Sequence, residues 1–428
     1  MPSSPDPQRR SFLAAVGAAS LLATTLPSTE ADAEAQTGAG ATPSLVSDPP
    51  RPLERTGADL GTNYSAVAAI ADSWQASVFP PAGPDSFDEA FRVRVRQLVQ
   101  AELSYQPPVV ELRPEIVEEV DCGDHVRQRV LISTAPWFRV AGYVLVPRGR
   151  RGRGPAIVDL HSHGGMFLFG KEKVIDLGNN HPAMTRYHEQ NYAGRPTATA
   201  LVRRGYVVMS IDAFMFGERR VLLDEDQKYG WDRARYSLDD VQHLNTKCRA
   251  KEATIAKSLV LAGATWPGIV NHDDRRVVEY LSTRSDVDPD RIGCVGISLG
   301  GYRSAYLAAM EPRIRAACVV GFMSSMRPML QAHVDTHSWL HFLPGLHRLL
   351  DLPEVAALAA PRALFVQQCS QDRLFPLAGM QSSVQRLAEL YRAAGQPEKF
   401  RGEFYDEPHR WTVAMQDQAF DWLDQQLR

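Results

Sequence analysis

The chain has 428 residues, 44% of them apolar and 23% charged, with a formal net charge of −3. Such a composition is that of a globular protein with a large core, and the near-neutral balance argues against an electrostatic nucleic-acid binder, which needs a concentrated basic face. The one basic cluster, RGRRGRG at 148–154, lies in a glycine-rich connection between apolar runs and reads as a solvated loop. Five cysteines are scattered without C-x-x-C spacing, so zinc and redox motifs are not indicated, and Cys294 and Cys318 sit in apolar runs as core fillers.

Residues 1–35 hold Arg9-Arg10, then Phe12-Leu13, a weakly apolar Ala/Leu stretch and Ala-x-Ala sites. A positive head, a short apolar middle and a small-residue end fit an export signal, and the paired arginines resemble a bacterial twin-arginine signal. Cleavage fits after Ala33 or Ala35, and the expected location is periplasmic or extracellular. No later segment is long and apolar enough to span a bilayer. Residues 36–60, rich in Pro, Gly, Ala and Thr, read as a linker.

Residues 61–120 read as a helical N-terminal extension, in which Ser86 and Glu89 form a capping box ahead of Phe87, Phe91, Val95 and Leu98. VRQRVLIST (126–134) and RVAGYVLVP (139–147) read as an antiparallel hairpin. Then come PAIVDL, YVVMSIDAF, RIGCVGI, IRAACVVGF, RALFVQQ and KFRGEFYD, short apolar runs separated by longer helix-like segments. That alternation implies an α/β domain over 121–428, with a mostly parallel central sheet covered by helices on both faces and extended by the hairpin.

In such a sheet, reactive groups gather where strands end and helices begin. Gly296-Ile297-Ser298-Leu299-Gly300 stands at such a junction. A nucleophilic serine must project from a sharp strand-to-helix turn so crowded that only glycine fits two places either side, and the helix start offers N–H donors to a developing oxyanion. Serine needs a base, and the base an orienting acid, in the chain order Ser, Asp, His. Asp372 and His409 each lie just past a later strand. Asp406 and Glu407 are rival acids but sit too near the base to reach its far nitrogen. The Leu299 amide is one oxyanion donor. DLHSHGGMFLFGKEK (159–173) supplies the other, placed at the His163 amide, with Gly164 and Gly165 letting the backbone approach a substrate. The H-x-H pair His161 and His163 also suits a metal, but no Asp or Cys partner stands nearby. No metal and no cofactor is expected.

LHSHGGMFLFGKEK, GISLGGYRSA, APRALFVQQCSQDRLFP and the terminal PHRW together resemble the α/β-hydrolase superfamily, nearest its dienelactone-hydrolase-like and acetyl xylan esterase or cephalosporin C deacetylase-like branch. The resemblance spans about residues 85–428. It implies an α/β-hydrolase fold, a nucleophile at Ser298, an acid at Asp372, a base at His409 and donors at the His163 and Leu299 amides. Esterases of this branch often read H-G-[YH] where this chain has His161-Ser162-His163. Residues 215–270, including Trp266, have no counterpart and are expected to roof the pocket. The implied activity is hydrolysis of short-chain carboxylic esters, on a small-molecule or carbohydrate ester. A prolyl oligopeptidase-like serine peptidase is the alternative, disfavoured because about 120 residues before the core are too few for a propeller. A binding scaffold on a dead hydrolase fold is disfavoured because all three catalytic positions are filled. Oligomeric state is left open.

Overall fold

The computed structural model describes residues 58–74, 87–224, 226 and 232–428. The export signal, nearly all of the linker and Ser86 lie outside these residues. Nine strands form one sheet in the order β1-β2-β3-β5-β4-β6-β7-β8-β9. They are β1 (Glu115–Asp121), β2 (His125–Ala135), β3 (Phe138–Pro147), β4 (Gly154–Asp159), β5 (Val207–Ile211), β6 (Val287–Ile297), β7 (Ile314–Val320), β8 (Ala363–Cys369) and β9 (Phe400–Tyr405). The pairs β1–β2, β2–β3 and β3–β5 are antiparallel, and all pairs from β5 through β9 are parallel.

The parallel strands read as continuous apolar runs because both of their faces are covered. Along β6, Ile292 and Cys294 enter one core while Val295 and Ile297 enter the other; β8 splits likewise, with Leu364 and Val366 against Ala363 and Phe365. The first core packs α2 (Glu89–Leu103), α7 (Trp266–Thr283), α8 (Leu299–Met310) and α10 (Leu377–Ala393) on one face. The second packs α3 (Pro182–Tyr192), α4 (Thr197–Arg203) and α11 (Val413–Leu427) on the other. Helices α1 (Tyr64–Ser73), α5 (Leu238–Ala250), α6 (Glu252–Leu261) and α9 (Leu352–Ala357) complete the set among the described residues. All five cysteines are free, and Cys294 and Cys318 are buried within β6 and β7.

Three expectations change. The sheet starts inside the segment read as a helical extension: β1, EIVEEVD, is an exposed edge strand, so it lacks the alternation that marks a half-buried strand. Helix α2 is capped by Asp88, whose Oδ1 accepts the Phe91 amide at 2.7 Å, so Glu89 is the first helical residue and not the third. Trp266 is not a roof. It opens α7 with 2% exposure inside the first core, its indole N–H donating to the Phe214 carbonyl at 3.0 Å.

Candidate active site

Ser298 stands between the end of β6 and the first turn of α8 with φ 60° and ψ −124°, a conformation that L residues hold only under external constraint. Its amide donates to the Val320 carbonyl at the end of β7, at 2.8 Å. The flanking glycines are fixed by the neighbouring strand. A Cβ on Gly300 would lie 1.8 Å from the Leu160 carbonyl oxygen, and one on Gly296 would lie 2.4 Å from the same atom. The turn is therefore pressed against the loop after β4, and no side chain fits between them.

His409 follows β9, and Asp372 follows β8. The His409 Nδ1 lies 2.6 Å from Asp372 Oδ2, while Asp372 Oδ1 accepts the Leu374 amide at 2.8 Å. The carboxylate is fully buried and the imidazole one-fifth exposed. With Oδ2 as acceptor, Nδ1 carries the proton and Nε2 is left as the basic nitrogen. The ring lies over Gly321, the residue after Val320: a Cβ there would meet His409 Cε1 at 3.3 Å and Ile297 Cγ1 at 3.7 Å. Thus Val320 holds the serine and Gly321 seats the imidazole. Both Ser298 and His409 line one cleft of about 360 Å³. The rival acids are engaged elsewhere, Asp406 with Gln371 at 2.8 Å and Glu407 with Arg410.

The loop after β4 forms the facing wall. His163, Gly164 and Gly165 line the cleft, and neither the His163 nor the Leu299 amide has a hydrogen-bond partner among the described residues. Several buried groups fix this loop. The Ser162 hydroxyl bonds the Tyr187 and Tyr192 hydroxyls at 2.7 and 2.9 Å. Gly164 (φ +52°) is required by packing rather than by substrate, since a Cβ would strike the Tyr187 ring, whereas Gly165 (φ +68°) faces open space. His161 spans two strand ends: its Nδ1–H donates to the Ser162 carbonyl and its Nε2 accepts the Ala213 amide. Burial holds its pKa well below the ordinary histidine value.

The His163 ring accepts the Gly165 amide at Nδ1 and donates from Nε2 to Glu252 Oε1 at 2.8 Å. Burial pushes the imidazole pKa below the ordinary histidine value; Glu252, which burial alone would raise, is held below the usual carboxylate range by its bonds from His163 and Ser338. All four ring nitrogens of His161 and His163 are thus occupied, and no three His, Cys, Asp or Glu side chains converge as a metal cluster among the described residues.

Sequence reasoning missed the wall formed after β7. Phe322, His337, Ser338 and His341 line the cleft, and the rings of Phe322, His337 and Phe375 meet edge to face at 4.9–6.1 Å. The signal was present as His333, His337 and His341 at intervals of four. From the segment expected to form a roof, only Arg249 reaches the cleft lining among the described residues. A larger cavity, about 590 Å³, lies between α1 and the 326–354 stretch, but no serine or cysteine lines it.

Sheet order, strand-to-helix turn and site position define an α/β-hydrolase. Residues 81–424 match the Abhydrolase family, and the chain belongs to it. YtaP of Bacillus subtilis (strain 168), named as a hydrolase, is 24% identical over 306 residues, covering 71% of this chain and 89% of that one. A Bacteroides fragilis NCTC 9343 protein described as an acetyl xylan esterase has a similar fold, with TM-score 0.61, 18% identity and coverage of 81% and 84% of the two chains. A glucuronoyl esterase from Solibacter usitatus gives TM-score 0.56 at 15% identity, covering 80% and 94%. No single described helix is long and apolar enough to cross a membrane.

Proposed function

We propose that the protein is an exported serine esterase acting on short-chain carboxylic esters, acetyl esters among them, through Ser298, His409 and Asp372. The observation that carries this reading is the His409–Asp372 bond in the same cleft as a serine held at positive φ. Ser298 Oγ attacks the ester carbonyl as its proton passes to His409 Nε2, and Asp372 keeps the imidazole in the required tautomer and stabilises the imidazolium. The carbonyl oxygen becomes an oxyanion facing the His163 and Leu299 amides. Collapse expels the alcohol, protonated by His409, and leaves an acyl-serine. Water then attacks that ester, with its proton going to His409, and the carboxylic acid leaves. The architecture shared with proteins described as acetyl xylan and glucuronoyl esterases supports a carbohydrate ester as substrate. The twin-arginine-like N-terminus supports export.

A fluorophosphonate probe tests the reading together with 4-nitrophenyl esters of increasing chain length and an aminoacyl anilide. Labelling mapped to Ser298, lost in Ser298→Ala together with ester turnover, supports it. Failure to label Ser298 in the folded protein removes the hydrolase mechanism, and preference for the anilide favours a peptidase.

A further inference from the structure

Arg249 is the only arginine or lysine that lines the cleft among the described residues, and no aspartate or glutamate lines it; burial holds His163, His337 and His341 below the ordinary histidine value. The acids nearest these groups are turned away or spent. Asp372 is fully buried and divided between His409 and the Leu374 amide. Glu252 lies behind His163 and takes its Nε2–H and the Ser338 hydroxyl on one oxygen. The Arg249 side chain, exposed on the last turn of α5, makes one hydrogen bond, a 3.4 Å approach of Nη2 to the Thr336 carbonyl, and its charge also acts on the Glu252 carboxylate. A guanidinium offers five donors in a planar fork suited to a carboxylate, and here nearly all of them point to no protein acceptor.

We propose that this cleft takes esters carrying a second, negatively charged group of carboxylate type, and that Arg249 receives that group. The inference rests on the ester-hydrolase reading above. It names Arg249 as a specificity-determining residue, with no part in bond breaking.

The test uses two matched pairs of substrates on the full chain. On the acyl side, the 4-nitrophenyl monoester of glutarate is compared with 4-nitrophenyl pentanoate; on the alcohol side, 4-acetoxybenzoate is compared with phenyl acetate. In at least one pair the anionic ester has a kcat/KM at least tenfold above its neutral partner. Arg249→Gln lowers kcat/KM for that anionic ester about ten- to hundredfold more than for the neutral one, chiefly through KM, as expected for one charge-assisted contact. Arg249→Lys recovers part of the loss, because the charge remains but the fork does not. If neutral esters are cleaved by Ser298 and neither pair shows an anionic preference, or if Arg249→Gln depresses both members of a pair equally, the Arg249 assignment is overturned while the esterase reading stands. If Ser298 is unlabelled and no ester is cleaved, both fall.

Discussion

The contact between the strand-to-helix turn and the loop after β4 makes Gly300→Ala the sharpest test of the site. The new Cβ would sit 1.8 Å from the Leu160 carbonyl oxygen, 2.9 Å from its carbon and 3.3 Å from the His161 carbonyl oxygen. Carbon–oxygen contacts close to no less than about 3.3 Å, so the two segments must separate by roughly 1.5 Å. The obstacle is backbone on both sides, so no rotamer change relieves it. One segment carries Ser298 and the Leu299 amide, the other leads to the His163 amide; separation therefore pulls the two proposed oxyanion donors apart. Misplacement by about 1 Å costs on the order of 10² in rate, and overpacking costs about 1–3 kcal/mol in stability. Turnover of 4-nitrophenyl acetate should fall at least hundredfold, and the rate of fluorophosphonate labelling with it, in a protein that still unfolds cooperatively. Gly296→Ala, with its nearest atom at 2.4 Å, should fall less far. A Gly300→Ala variant with parental stability, labelling and turnover would refute the tight-turn argument, as would a reversed order of the two variants.

Asp372→Asn should cut kcat on the order of 10⁴-fold, because the amide can present its N–H to Nδ1 and reverse the imidazole tautomer; near-normal turnover would remove Asp372 from the mechanism. Arg303 and Asp274, both 1% exposed, form a two-pronged pair at 2.6 and 3.0 Å between α8 and α7. Arg303→Ala strands the carboxylate and should lower denaturant stability by about 3–5 kcal/mol; an unchanged midpoint would show that the pair is not desolvated. Lys173→Met removes the donor that holds the Ser162 and His163 carbonyls at 2.8 and 3.0 Å, and should lower kcat more than it raises KM; equal effects on both would point to lost substrate binding instead. Asp159, fully buried beside Thr197, has its pKa raised by burial to about 7. Its carboxyl is protonated in the folded state up to that pH, whereas the unfolded chain releases the proton near 3.8. Stability therefore falls as pH rises through this window and levels above it, by at most about 4 kcal/mol. Asp159→Asn should gain on the parent between pH 5 and pH 8, and parallel midpoints at the two pH values would contradict the assignment.

The residues of the candidate site were legible because each follows an apolar strand in sequence. GISLG ends β6, Asp372 stands three residues beyond β8, and His409 four beyond β9, so parallel strand direction alone carries all three to one edge of the sheet. The strands were legible because burial on both faces leaves runs such as CVGI and ALFV with no polar position to obscure them. What escaped was governed by contacts distant in the chain. β1 pairs through its backbone while nearly all its side chains face water, so its composition reports solvent and not sheet. The histidine-bearing stretch after β7 has no strand or long helix to announce it, and only the fold brings His337 and His341 opposite His163. Trp266 reads as part of a roof because the segment around it has no counterpart; the structure spends it on core packing.

The GKEK run shows the same limit from the other side. Three residues that composition assigns to the surface, Lys171, Glu172 and Lys173, are buried; the side-chain partners of Lys171 and Glu172 lie 40 or more residues away in the chain. Lys171 meets Asp212 at 2.8 Å and Glu218 at 2.7 Å, Glu172 meets Arg233 at 2.6 Å, and Lys173 meets the carbonyls of the oxyanion-side loop. Buried ion pairs add little net stability over well-packed apolar residues, so stability is a poor reason for placing so many here. Directional bonds, however, fix backbone positions that apolar packing leaves free to slide. Lys173 is the clearest case: burial drives its pKa well below the ordinary lysine value, yet its Nζ still donates to two successive carbonyls, Ser162 and His163. Those bonds fix the peptide on either side of His163, whose amide is the proposed second oxyanion donor. On the proposed mechanism this buried polar shell belongs to the site as much as Ser298, Asp372 and His409 do, because it fixes the loop between β4 and α3 that carries the proposed donor.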